Sequence, residues 1–290
     1  MRIRNTAYAL KEFFTPDLNV RYEDWGTQFL NAFRNIRRPV RRISLKEAKR
    51  NRNEILFILG CNRSINELKK EIWQRISRHD TLGFNYWIYH PFVPTYYGLE
   101  YDRNYFINHH HAKIIQARAK DYAETIFLVH SRAWRRGMSP RLLPQFFPEN
   151  PKVLRFLFPP VVNCPDGRPF NKNDFRNTIL YRGSLNLYLH FARLIGYKKI
   201  VFVGCEMNVA TAFYEDYPEA QWMFQVENYL QDKVTRSKIA YGGVENSKGR
   251  HSMPTAIKAI NEFVFKPEGI SLYVLDKRSV LYPDVPVYTF

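Results

Sequence analysis

Two short runs constrain this chain more than anything else in it. Ile55-Leu56-Phe57-Ile58-Leu59 stops at Gly60, and Lys199-Ile200-Val201-Phe202-Val203 stops at Gly204. A strand that is apolar at nearly every position has no face to give to water, so both of its faces must be covered. Such strands belong in a parallel sheet with helices on either side. The flanking sequence agrees. After the first run come Cys61-Asn62-Arg63-Ser64-Ile65 and a helix-compatible stretch from Asn66 to Arg78. Before the second, Ser184 opens a helical stretch through Leu194 and Gly196 closes it, as a glycine just past a helix end does. Thr81–Asn85, Thr125–Val129 and Leu272–Leu275 read as further strands, and Thr255–Phe265 as a further helix. The fold class expected is α/β, a Rossmann-like, mostly parallel sheet flanked by helices.

The 290 residues suffice for one large domain of this kind, and 45% hydrophobic with 16% aromatic residues supply its core. The texture changes at Glu54. Residues 1–53 read as a basic extension containing Arg34, Arg37, Arg38, Arg41, Arg42, Lys46, Lys49 and Arg50, and residues 54–290 as the α/β domain. Within the extension, Trp25, Phe29, Phe33 and Ile36 recur at helical spacing, which fits either a helix packed on the domain or an anchor on an anionic membrane surface. Residues 138–169 are rich in proline and read as an irregular surface insertion. Residues 209–250 lose strand character and read as a lid.

A formal net charge of +17 calls for an anionic partner. A nucleotide phosphate, anionic lipid and nucleic acid all qualify by charge. Nucleic acid is not expected, because the basic residues crowd into the extension and no recognised binding motif accompanies them. No apolar run reaches the roughly 18–20 residues that span a bilayer, and no apolar signal segment follows Met1. Three cysteines, Cys61, Cys164 and Cys205, have no metal-ligand spacing and read as free thiols of a reducing compartment. The expected location is the cytoplasm, peripheral on the inner face of the cytoplasmic membrane if the basic extension binds there. Self-association is compatible with all of this.

In an open parallel sheet, ligands bind at the carboxyl ends of the strands. Several expected strands end there on polar residues, namely Cys61 and Asn62, Asn85, His130 and Glu206. Phosphate loops of the G-x-x-x-x-G-K-[ST] and G-x-G-x-x-G types are missing, as is a G-x-S-x-G elbow. His109-His110-His111 cannot all face one ion in regular structure, and no D-x-D-like pair follows a strand, so no metal or other cofactor is expected.

Tyr181-Arg182-Gly183-Ser184 through Gly196-Tyr197-Lys198-Lys199-Ile200-Val201-Phe202-Val203-Gly204-Cys205-Glu206, with His251-Ser252, Thr255, Ile257-Lys258-Ala259 and Leu272-Tyr273-Val274-Leu275, resembles the bacterial sialyltransferases that decorate lipooligosaccharides. Gly60-Cys61-Asn62-Arg63-Ser64-Ile65 stands where that family has a G-N-G-P-S-L loop, with cysteine in the asparagine position. The resemblance implies a variant of the GT-A-like fold with a lid, and an inverting, metal-independent transfer of sialic acid or a related 2-keto sugar such as Kdo. The donor would be a CMP-sugar and the acceptor a hydroxyl on a glycan or glycolipid, as in lipopolysaccharide or capsule biosynthesis. It assigns His251 as the catalytic base and Tyr214 as a support for the departing phosphate. Asn62, Asn85, Ser184, Glu206, Asn208, Lys248 and Arg250 would hold the nucleotide sugar. Asn208 stands at a second tyrosine position of the family, and Lys248 near a third. The alternatives are another enzyme on a similar fold, a pterin-pyrophosphokinase-like protein or a flagellin glycosyltransferase, and a basic nucleic-acid-binding protein.

Overall fold

The computed structural model describes residues 43–49, 54–101, 111, 114–115, 117–131, 155–157, 184–208, 211–215, 217 and 252–290. These fall into two compact units. The larger comprises 44–98 and 159–290, the smaller 1–43 and 99–158.

In the larger unit the two apolar runs form β1 (Ile55–Leu59) and β6 (Lys199–Val203), side by side and parallel, with Ile55 opposite Lys199 and Leu59 opposite Val203. β2 (Asp80–Phe84) lies on the other side of β1, and β3 (Tyr96–Tyr101) pairs with β2 through Tyr96, Tyr97 and Gly98. β7 (Ser271–Val274) pairs with β6. All of these pairings are parallel, and their order is β3-β2-β1-β6-β7. The α/β, Rossmann-like parallel sheet expected from the sequence is therefore the fold. Phe57, Ile58, Leu82, Val201 and Val203 are all at most 1% exposed, as the two-sided burial of such strands requires.

Strand alternation sends Leu82, Phe84, Tyr96 and Gly98 to one face and Phe57, Thr81, Gly83 and Tyr97 to the other. The first face is covered by α3 (Leu185–Ile195). Its Tyr188 ring lies 5.2 Å from that of Phe84 and its Phe191 ring 5.0 Å from that of Tyr96. Gly98 admits Tyr188, since a Cβ there would fall 2.2 Å from the ring carbon bearing the hydroxyl. On the second face Phe290 stacks on Phe57 at 5.8 Å, with Arg75 of α2 (Lys70–Ile76) over the Phe290 ring. α3 closes as expected on Gly196, at φ 100°, whose N–H donates to Ala192 and Arg193. α4 (Met253–Ile260) starts with the Ser252 hydroxyl accepting from Thr255 N–H and runs on as a π-turn, Asn261–Phe265.

Some expected boundaries differ. The helix anticipated over Asn66–Arg78 is broken: a 3-10 turn, Arg63–Glu67, ends at an extended Leu68 before α2 begins. The turn forms because Asn62 caps it, its side chain accepting from Ser64 N–H at 3.2 Å. The last strand starts and ends one residue earlier than expected, at Ser271 and Val274. α1 (Leu45–Ala48) carries a reciprocal Ser44–Glu47 capping box and groups with the larger unit, although it lies in the basic extension.

In the smaller unit β4 (Ile126–Ser131) pairs in parallel with β5 (Arg155–Leu157). The stretch 138–169, expected to be irregular, thus contains a strand, too short for its periodicity to register in sequence. Tyr122 is buried before β4, with Arg118 5.0 Å above its ring. The helix expected over 24–37 lies outside the described residues. Among the described residues no helix is long and apolar enough to cross a membrane.

Candidate functional site

From β1 the chain moves to β2 and β3 on one side, while β6 and β7 lie on the other. The carboxyl ends of β1 and β6 therefore flank the point where the strand order reverses, the position at which open α/β sheets bind ligands. The residues there are Gly60-Cys61-Asn62 and Gly204-Cys205-Glu206.

The two ends are held tightly together. Gly60 N–H donates to Val203 C=O at 2.7 Å, and Asn62 N–H to Gly204 C=O at 3.0 Å. A Cβ on Gly60 would sit 2.2 Å from the Gly204 carbonyl oxygen, so the approach requires a glycine. Ile65 packs onto Gly204, and the Ser64 hydroxyl donates to Glu206 Oε1 at 2.6 Å. The first residues of the expected lid are joined to the same loop. Arg63 N–H donates to Thr211 C=O, Phe213 N–H to Cys61 C=O, and Asn66 Nδ2 to Phe213 C=O, at 3.1, 3.0 and 2.9 Å.

This stitching fixes Tyr214. It is 1% exposed, with its ring 5.1 Å from Tyr86, 5.6 Å from Tyr89 and 5.3 Å from Phe213. Tyr86 and Tyr89 belong to the 3-10 turn Asn85–Tyr89 that leaves β2. Asn85 itself is exposed and left-handed, at φ 53°, and its carbonyl accepts a short hydrogen bond from the Tyr97 hydroxyl. Asn208 is exposed and donates to Arg278 C=O at 2.7 Å. Ser184 is buried, and its side chain makes no capping bond to α3. It lies one turn before Tyr188, whose ring meets Phe84 at the end of β2.

Asn62, Asn85, Glu206, Asn208 and Tyr214 thus gather along the carboxyl edge of the sheet, with Ser184 at the end of α3 that points there. His251, Lys248 and Arg250 lie outside the described residues, as does most of 209–250. His130 lies on β4 of the smaller unit.

The electrostatics of this edge are those of a dry site. Burial pushes the Glu206 carboxyl above its ordinary range, against the Ser64 hydrogen bond, which pulls it down. Burial pushes the Cys61 thiol up to about 12 and that of Cys205 well above its ordinary value. Both thiols are free and inert as nucleophiles in that state. Arg278 is engaged by Glu67 and Asp276, each at 2.5–2.6 Å, and its hydrogen bonds, with its charge behind them, hold both carboxyls below their ordinary range. Among the described residues no group of three or more His, Cys, Asp or Glu is arranged to hold a metal ion.

Ser64 was missed as a site residue by sequence reasoning. Its signal was present in Asn62-x-Ser64, the polar pattern of a capped turn directly after a buried strand. The pairing of Arg278 with Glu67 carried no local signal, because the two lie 211 positions apart. Compared with known proteins, the chain matches no family model and no curated sequence.

Proposed function

We propose that this chain is an inverting, metal-independent glycosyltransferase that moves sialic acid or a related 2-keto sugar from a CMP donor to a glycan hydroxyl. The observation that carries the proposal is the joining of the Asn62-capped turn to Glu206 through Ser64 at the β1–β6 reversal point, with Tyr214 packed on Tyr86 of the turn that begins at Asn85. A nucleotide needs amide and carboxyl groups to read its polar edges and aromatic surface to exclude water, and this edge supplies both. The resemblance of 181–206 and 251–275 to the lipooligosaccharide sialyltransferases supplies the reaction class by analogy.

In the proposed mechanism His251 accepts the proton of the acceptor hydroxyl as that oxygen attacks the anomeric carbon, and CMP departs from the opposite face. An imidazole with a pKa near 6.5 is suited to this role at neutral pH. The phosphate that leaves gains negative charge, which the Tyr214 hydroxyl and Lys248 or Arg250 would offset. Use of the Tyr214 hydroxyl requires the aromatic cluster around it to open toward the donor. Asn62, Asn85, Ser184, Glu206 and Asn208 would hold the nucleotide sugar. Residues 209–250 would close over it and limit hydrolysis.

The test is a screen of CMP-sialic acid, other CMP-nonulosonates and CMP-Kdo, with thermal shift by CMP and ATP in parallel. CMP should raise the unfolding midpoint and ATP should not. His251→Ala should lower transfer by about 100-fold or more, the scale of a lost general base. Absence of turnover with every CMP-sugar, or full transfer by the alanine variant, overturns the proposal. Protection by ATP alone would favour the pyrophosphokinase-like alternative, and steeply salt-dependent RNA or DNA binding without CMP binding the nucleic-acid one.

A further inference from the structure

Among the described residues, the large apolar side chain most open to water is Phe263, 79% exposed. It stands in the π-turn that continues α4, between Ala259 and Pro267, and both of these are exposed as well. The three recur every fourth residue, so an apolar stripe runs along the outer side of α4 to its end. The stripe by itself names no partner. The charges beside it do.

That end of α4 lies at the amino edge of the sheet. The chain turns through Gly269 into Ser271, the first residue of β7, which is in register with Lys199, the first of β6. The Arg193–Glu268 ion pair, at 2.6 Å, ties the end of α3 to the same turn. Lys198 and Lys199 are exposed here, and both backbone N–H groups donate to the Glu54 carbonyl. Lys46 and Lys49 are exposed on α1, which the Tyr96 hydroxyl holds at this edge through the Ala48 carbonyl. Lys49 lies beside Gly196, where α3 ends.

Most carboxylates of this edge are already committed. Glu268 is held by Arg193, Glu262 by Lys266, and Glu47 by the Ser44 N–H of its capping box. Asp80 is fully buried on the Tyr197 hydroxyl. Glu54 is exposed, against Lys46, Lys49, Lys198 and Lys199, and no ion pair among the described residues uses these lysines. Lysines gathered beside an exposed aromatic ring are the two halves of an interfacial anchor. The cations meet lipid phosphates, and the ring enters the boundary between headgroups and acyl chains. A nucleic-acid backbone would engage the cations and leave the stripe in water.

We propose that the amino edge of the larger unit's sheet is a docking face for an anionic lipid surface, with Lys46, Lys49, Lys198 and Lys199 over the headgroup phosphates and Phe263 inserted beside them. This face is part of the folded α/β unit rather than of the basic extension alone, and it does not depend on the glycosyltransferase reading. The strands run from it toward the candidate site. That site therefore opens away from the lipid, farther out by the length of a five-residue strand, about 16 Å.

The experiment measures co-sedimentation of the full chain with phosphatidylcholine vesicles, with and without phosphatidylglycerol, at fixed salt. Binding should require phosphatidylglycerol. Lys198→Gln combined with Lys199→Gln should weaken it about 30-fold, at roughly fivefold per lysine near an anionic surface. Phe263→Ala should weaken it about tenfold, the low end of what burying a phenylalanine ring contributes. Phe263→Trp should gain emission that acyl-brominated lipid quenches. Lys69→Gln combined with Lys70→Gln removes the same charge from exposed positions at the start of α2, on the carboxyl side. Being more than a Debye length from the lipid, this pair should change the affinity by less than about twofold. Absence of binding to phosphatidylglycerol vesicles overturns the proposal. Equal weakening by the two lysine pairs reduces the binding to net charge and overturns the face. Full binding by Phe263→Ala, without quenching in Phe263→Trp, overturns the insertion and with it the anchor. A dimer that Phe263→Ala dissolves while vesicle binding is unchanged assigns the stripe to a second copy of the chain. RNA binding that is lost with Lys198 and Lys199 while vesicle binding persists assigns the edge to nucleic acid. Either of these last results also overturns the proposal.

Discussion

The two edges of the larger unit's sheet are built on different terms. At the amino edge, Asp80 is fully buried and accepts from the Tyr197 hydroxyl at 2.8 Å. Tyr197 also reaches the Tyr96 hydroxyl at 3.2 Å, and Tyr96 donates to Ala48 C=O at 2.9 Å. The chain of bonds joins β2, β3, the α3–β6 connection and α1. Left-handed backbone on this side falls on glycines, Gly196 and Gly269. At the carboxyl edge, by contrast, it falls on Asn85 and Met207 as well as on Gly204. Non-glycine residues in that region carry strain. Glu206 adds a buried carboxyl oxygen without a hydrogen bond. The amino edge is built to hold the sheet together, whereas the carboxyl edge carries strain and costly polar burial, the pattern of a site.

The contrast can be broken by substitution. The largest effect is expected from Gly60→Ala, which drives a methyl into the Gly204 backbone and the Cys205 thiol beside it. It should cost about 3 kcal/mol, the upper range for overpacking, read as a drop in the urea midpoint with m unchanged. Tyr197→Phe should cost about 2 kcal/mol, the scale of leaving a buried hydrogen-bond partner unsatisfied. It should leave CMP binding intact, because its damage is confined to the amino edge; a matching loss of CMP affinity would erase the distinction between the edges. Met207→Gly should stabilise by about 1 kcal/mol by relieving the left-handed strain. The same relief is unavailable at Gly196, where alanine should destabilise. If Met207→Gly destabilises instead, the carboxyl edge is not strained there.

Much of the fold was legible because its determinants are local. Burial on both faces writes itself into β1 and β6 as unbroken apolar runs, and Ser184 with Gly196 brackets α3. The candidate site was legible only as a set of strand-end residues. Asn62, Asn85 and Glu206 were readable from the strands they follow, but what each does there was not. Asn62 spends its side chain capping the next turn, and Tyr214 is buried among aromatic rings from the end of β2.

The sequence by itself determined that this chain forms a parallel α/β sheet whose strand ends carry polar groups, because two-sided burial and helix caps act over a few neighbouring residues. Only the tertiary structure decided which groups meet. Ser64 and Glu206 are 142 positions apart and Glu67 and Arg278 211, and no local pattern specifies such pairs. They are set by strand order and register, which bring the ends of β1 and β6 side by side and bury Glu206 against Ser64.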